Sequence, residues 1–199
     1  MKNSPEKQNQ LIISYLTLRR LLGFLGLLLP FILMLGVFFF GKCFIVEATV
    51  SQYYYTVMGD VFVGLLFTIS FFLITYKGYD KIDNIVTNIA GVFAICIALF
   101  PSTIEKNAGC PISGLEGSDF KNTLHLISAG LFFMTTAFVS IFLFRKSNGP
   151  KSPQKVIRNK IYFVCGIIIM VSIALIPVFR SDSLIDKFEI YKPVFILEA

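Results

Sequence analysis

Two residues in this chain have the types needed for acid–base chemistry and stand where such residues are costly. Asp60 lies inside the apolar stretch SQYYYTVMGDVFVGLLFT, which begins at Ser51. His125, the single histidine, lies in LHLISAGLFF. A charge in hydrocarbon costs free energy, so an ionisable residue within an apolar helix marks a functional site by default. A carboxylate and an imidazole sharing a partly dry pocket would act as base and acid or relay a proton. Each residue also has a plainer role: Asp60 as a helix-dipole partner worth roughly 0.3–1 kcal/mol when exposed, His125 as a group hydrogen-bonded at headgroup level. One histidine does not make a three-His zinc site, and the four cysteines lack CxxC spacing, so neither a metal nor another cofactor is expected. Ser51, Ser102 and Thr103 lie close to the same level in sequence, with Glu47, but no G-x-S-x-G elbow accompanies them.

The positioning of these groups follows from helix periodicity. Thr56, Asp60, Gly64 and Thr68 recur every four residues and form one stripe. It is the stripe least compatible with lipid, and the expectation is that it faces the bundle. His125 continues through Ala129, Thr136 and Ser140, with Ser128 beside them. Tyr53, Tyr54 and Tyr55 suit an aromatic belt at a membrane surface, with Tyr54 and Tyr55 also candidates to donate into a ligand pocket.

Composition names the solvent. Of 199 residues, 55% are hydrophobic and 15% charged, and mean hydropathy is +0.75. A water-soluble chain of this size does not hide that much apolar surface, so a bilayer is the default. The expected fold is all-α: an integral-membrane bundle of five transmembrane helices, at about 21–40, 57–76, 85–100, 122–144 and 161–179, within a bundle spanning residues 21–179. Residues 1–20 form an N-terminal segment and 180–199 a tail. The first apolar run ends in Gly41-Lys42-Cys43 without an A-x-A site, which reads as an uncleaved span rather than a signal peptide. Gly23, Gly26 and Pro30 fall on one side of helix one, where Pro30 should kink it and the glycines admit a neighbour. Thr87, Ala90, Gly91, Ala94 and Ala98 give helix three a small-residue packing face. Residues 77–84 read as a tight charged turn, with Asp83-Asn84 capping helix three.

With the N-terminus inside, two-thirds of the 18 Lys and Arg residues fall on the cytoplasmic side, as topology signals require. The net charge of +6 is thereby explained without nucleic acid as a partner; membrane lipids, a second copy or a membrane partner are the expected ones. The loop 145–160, basic and free of acid, reads as a topology anchor that also suits anionic headgroups. This orientation puts Cys43 and Cys110 in outer loops, where an oxidising compartment would let them pair. Two unrelated thiols are the alternative.

Several blocks resemble a known family. SQYYYT-x3-D-x-FVG, LITYKGYDKIDNIVTNIAGVFAICIALFP, LHLISAGLFF and RNKIYFVCGIIIM are similar to the bacterial multi-pass membrane proteins grouped as domain of unknown function 998, and more remotely to FRAG/DRAM-like membrane proteins. The resemblance covers most of residues 45–199. It implies a helical bundle of about six spans in a bacterial plasma membrane, no established activity, and family-like polar positions at Asp60, Tyr79, Asp80, Asp83, Pro101 and His125. Such relatives continue past a segment like PVFILEA into a sixth apolar helix ending near W-x-x-K-G. On that pattern Glu198 would stand at the outer start of such a sixth helix, level with Asp60 and His125, with 180–199 as its lead-in; a truncated six-helix bundle and a five-helix variant are the two expectations this leaves.

The sequence therefore supports an integral membrane protein with a polar outer-leaflet pocket for lipid or a small amphiphile, lined by Asp60, Tyr54, Tyr55, His125 and Glu198. The alternatives are a membrane-embedded hydrolase using Asp60 and His125, and a structural or partner-binding subunit. A transporter is the weakest reading, because no inverted repeat is visible. The residues do not establish an enzyme.

Overall fold

A computed structural model describes residues 5–78, 80–104, 108–112, 118–146, 152–179 and 192–199; for residues 5–20 and 22 the description is of the backbone alone. The described elements are helical. They are α1 (Pro5–Phe40), a 3₁₀ turn (Val50–Tyr55), α2 (Gly59–Thr75), α3 (Lys81–Leu99), α4 (Asp119–Phe138), a π-helical turn (Val139–Leu143) that prolongs α4, α5 (Pro153–Phe179) and a short α6 (Pro193–Glu198). Four of the helices are long and apolar enough to cross a membrane: α1 from Gly23, α3, α4 with its π turn, and α5. Helix α2 has 17 residues, about 25 Å at 1.5 Å per residue, which is the short edge of a span.

Consecutive helices pack as neighbours, and α3 lies between α2 and α4. In a membrane this packing draws little from the hydrophobic effect; close approach and dispersion drive it. The small-residue stripe of α3 is accordingly its buried face, from Thr87 through Ala90, Gly91 and Ala94 to Ala98. Gly91 shows why size matters. A Cβ there would stand 2.9 Å from the Ser70 carbonyl oxygen and 2.6 Å from the Ile74 side chain. The same approach lets the Ser70 hydroxyl donate to the Gly91 carbonyl at 2.6 Å. The apolar core joins Leu29, Leu33 and Val37 of α1 to Met58, Phe62 and Leu66 around α2, and to Ile97 and Ala98 of α3. Helix α5 is peripheral, with only 6% of its apolar stretch buried.

Several expected boundaries move. The N-terminal segment is continuous with the first span: α1 starts at Pro5 and runs unbroken through Pro30. Gly23 and Gly26 receive no neighbour, since nothing stands within 4 Å of a Cβ built at either. Helix α3 begins at Lys81 instead of Ile85, so the charged KIDN segment is its first turn rather than a loop. Asp83 is buried there, and the Asn84 side chain accepts from the Gly78 amide at 2.8 Å, closing the turn from within the helix. Helix α5 starts at Pro153, taking up half of the predicted basic loop. Proline at a first helical position loses nothing, because its missing N–H would have no intrahelical partner. Tyr79 and residues 180–191 lie outside the described residues.

Candidate functional site

The polar residues sort to the two ends of the bundle. One end gathers the segments after α1, after α3 and around α6. Cys43 and Cys110 are joined there in a disulfide with Cα atoms 6.2 Å apart, tying the segment after α1 to the segment after α3. The bond brings Glu47 against the second segment. The Glu47 side chain is 1% exposed, and its two carboxylate oxygens accept from the backbone amides of Cys110 at 2.8 Å and Gly109 at 3.0 Å. Glycine is needed at 109, because a Cβ would run into the Ile45 side chain and push the amide away. A buried carboxylate survives when backbone N–H groups replace its water.

Next to it, the SQYYY segment is the 3₁₀ turn, with Thr49 accepting from the Gln52 amide at 3.3 Å. Gln52, also 1% exposed, reaches across to donate to the Thr103 carbonyl at 2.8 Å and the Ser102 hydroxyl at 3.3 Å. The Tyr55 hydroxyl donates to the Ser102 carbonyl, and burial raises its phenol above the usual value. The Ile112 amide donates to the Tyr55 carbonyl at 2.8 Å. The Asn122 side chain accepts from the Thr103 amide at 3.1 Å, attaching α4 to the same loop. Glu198 of α6 closes the group, accepting from the Val50 amide at 2.7 Å at the start of the 3₁₀ turn. Phe195 lies over Tyr53 with ring centres 6.0 Å apart.

Tyr53 is fully buried, and its hydroxyl has no hydrogen-bond partner. Burial pushes the phenol up to about 12; the Glu47 backbone pulls in the other direction, although it forms no hydrogen bond of good geometry. The tyrosines are therefore not an aromatic belt. Tyr53 and Tyr55 are interior, and Tyr54 is half-buried, packed edge-on against Tyr55 at 5.1 Å.

The expected Asp60–His125 pair does not assemble. Asp60 is exposed in the first turn of α2 and makes no hydrogen bond or ion pair among the described residues. Gly64 and Thr68 are exposed as well, and the Thr68 hydroxyl turns back to the Gly64 carbonyl at 2.8 Å. The buried stripe of α2 is Phe62, Leu66 and Ser70. His125 is buried on α4, with Nδ1 2.8 Å from the Phe100 carbonyl at the end of α3. A carbonyl only accepts, so Nδ1 carries the hydrogen. Helix α3 separates the helices that carry the two residues. Of the residues expected to line an outer pocket, Tyr55, His125 and Glu198 are each bonded to a neighbouring segment and Tyr54 packs on Tyr55, whereas Asp60 makes no contact of this kind among the described residues.

The opposite end holds the 76–81 connection and the α4–α5 junction. Lys146 bridges to buried Asp83 at 2.6 Å and to exposed Asp80 at 2.9 Å. Hydrogen bonds to the two carboxylates, Asp83 foremost, raise the Lys146 ammonium above its ordinary value. The Ser140 hydroxyl in the π turn donates to the Tyr162 carbonyl at 2.7 Å, locking α4 to α5. Sequence reasoning placed Glu47 near this chemistry only by level, and it missed the roles of Gln52, Asn122, Lys146 and Asn159. The signal for Glu47 was its nearness to Cys43: if that cysteine pairs, the acid between the pair must find donors. Among the described residues, no group of His, Cys, Asp and Glu is arranged to hold a metal ion.

Comparison with known proteins adds no identity: no family model, no curated protein and no solved structure matches this chain.

Proposed function

We propose that the chain is a multi-pass membrane protein of the cell membrane that acts as a lipid-contacting, partner-binding subunit and not as a hydrolase. The reading has five spans, α2 included, with the N-terminus inside and the disulfide end outside. The observation that carries it is the state of the buried polar groups at the disulfide end. Glu47, Gln52, Tyr55, Asn122 and Glu198 each bond a backbone group or side chain of another segment. A hydrolase needs a base beside a nucleophile with room for a reacting carbonyl. Here the candidate base on α4 faces the end of α3, and the Asp60 carboxylate, which makes no bond among the described residues, is on the exposed side of α2. Membership of the domain of unknown function 998 family belongs to the same proposal and rests on the sequence blocks alone.

Two measurements test it. A membrane-impermeant maleimide added to intact cells after mild reduction should label Cys43 and Cys110; labelling only after lysis would reverse the orientation. Phospholipid and ceramide turnover by the reconstituted protein should be indistinguishable between wild type, Asp60→Asn and His125→Ala. Turnover that the wild type shows and either variant loses would restore the hydrolase.

A further inference from the structure

The end opposite the disulfide carries a cleft of about 300 Å³, lined by Ile141, Phe142, Arg145, Lys146 and Asn159. Three features of its lining converge on one chemistry. The first is an unpaired acceptor. Asn159 is 9% exposed, and its side-chain oxygen is buried without a hydrogen-bond partner. Its amide nitrogen donates to the Arg145 carbonyl at 3.4 Å, which fixes which way the side chain is turned. A buried acceptor left empty is costly and asks for a donor.

The second feature is a cation without a counter-charge. Lys146 is already bound by Asp80 and Asp83, whereas Arg145 makes no ion pair among the described residues. The Arg145 guanidinium is steadied, with one nitrogen on the Ile141 carbonyl at 3.2 Å and its plane over Phe163 at 4.9 Å. Its remaining donors suit a phosphate. Lys155, on the Phe144 carbonyl at 3.3 Å, adds positive charge beside it.

The third feature is backbone and apolar wall. The π turn Val139–Leu143 replaces regular helix here, with Phe144 donating to Val139 at 2.9 Å. Such widened turns are frequent at functional sites. Phe142 is 57% exposed and, with Ile141, forms the apolar side of the cleft.

We propose that this cleft binds a phospholipid headgroup: phosphate on Arg145, a headgroup hydroxyl or ammonium donating to the Asn159 oxygen, and the upper acyl carbons against Ile141 and Phe142. The inference rests on the bundle spanning a membrane but not on its orientation or on the absence of hydrolysis. It excludes a headgroup without a donor: phosphatidylcholine has the phosphate but no N–H or O–H to give.

The test uses the full-length protein in detergent, checked for unchanged helicity by circular dichroism. Bound lipid is quantified by native mass spectrometry after titration with phosphatidylglycerol, phosphatidylethanolamine, phosphatidylcholine or inorganic phosphate. Phosphatidylglycerol and phosphatidylethanolamine should bind about tenfold tighter than phosphatidylcholine, one hydrogen bond's worth of discrimination. Asn159→Leu should abolish that preference. Arg145→Gln should weaken all three lipids, and Arg158→Gln should weaken none. Equal binding of the three lipids to wild type would overturn the proposal, as would unchanged binding in Arg145→Gln. Inorganic phosphate competing fully at equal concentration would point to a free-anion site and overturn the lipid assignment. Loss of membrane association in carbonate extraction would instead defeat the spanning reading, independently of the headgroup result.

Discussion

The two ends of this bundle treat polar groups in opposite ways. At the disulfide end, Glu47 and Gln52 are almost wholly buried, and their partners are backbone groups of a distant segment. At the other end, Asp83 is buried but its partner Lys146 and the second acid Asp80 stay partly open to water, and the cleft beside them leaves Asn159 with an unmet acceptor. The first arrangement spends its hydrogen bonds on joining the chain to itself. The second keeps some in reserve. The difference teaches where to look for a ligand: an unmet acceptor on a residue lining a cleft makes a candidate site, whereas the Tyr53 hydroxyl, equally unmet, is sealed in the packed end.

The contrast breaks most readily at Glu47. Glu47→Ala leaves two part-buried amides without their acceptor and should destabilise the protein by about 2 kcal/mol or more, measured as thermal unfolding in detergent. A loss under about 1 kcal/mol, the range of an exposed hydrogen bond, would mean the carboxylate is hydrated and the end is not sealed.

Removing the disulfide comes second. Cys43→Ser with Cys110→Ser should cost about 2 kcal/mol, at the low end for a crosslink because helices that persist in the unfolded state already restrict the chain. Glu47→Ala combined with Cys43→Ser and Cys110→Ser should be less than additive, since the bond and the carboxylate hold the same two segments. Full additivity would show that they act independently.

At the opposite end the effect should be smaller and salt-sensitive. Asp83→Asn removes the closer partner of Lys146, and the resulting drop in melting temperature should shrink as salt approaches about 1 M. The Lys146 ammonium is held above its ordinary pKa. Its contribution is therefore complete below about pH 10.5 and falls as pH rises through the folded value. An unchanged melting temperature at all salt concentrations would remove this bridge from the account.

The smallest effect belongs to Tyr53. Its hydroxyl is buried without a partner, so Tyr53→Phe should leave stability unchanged or raise it by up to about 1 kcal/mol. The phenol is raised from 10.0 to about 12, so the folded state keeps its proton longer than the unfolded state does. Stability should thus decline in that alkaline interval, and the variant should decline less. Clear destabilisation at neutral pH would mean that the hydroxyl has a partner.

How much of this was legible beforehand depends on the range of the interaction. The spans of α1, α3, α4 and α5 follow from apolar runs, a local sum that neighbours do not change. The small face of α3 was legible for the same reason: Ala and Gly at helical spacing have no competing use in a membrane helix except close packing. The rotation of α2 was not. Its two stripes, Asp60–Gly64–Thr68 and Phe62–Leu66–Ser70, differ by two residues, or about 200° of helix. Each holds one hydroxyl, and lipid tolerates either. A carboxylate in the first turn can also remain solvated near the helix end, so its charge does not force it inward.

Composition and local pattern thus determined that the chain is an all-helical, membrane-type bundle, where its apolar segments lie, and that Cys43 and Cys110 were eligible to pair. The tertiary structure decided which face of α2 meets its neighbours, that Asp60 and His125 stay apart, that Glu47 finds its donors on Gly109 and Cys110, and that Asn159 is left with an open acceptor. The physical reason is separation along the chain. Hydropathy is additive within a segment, whereas satisfying a buried polar atom depends on a partner 60 or more residues away, as between Glu47 and Cys110, and the identity of that partner is set only when the helices pack.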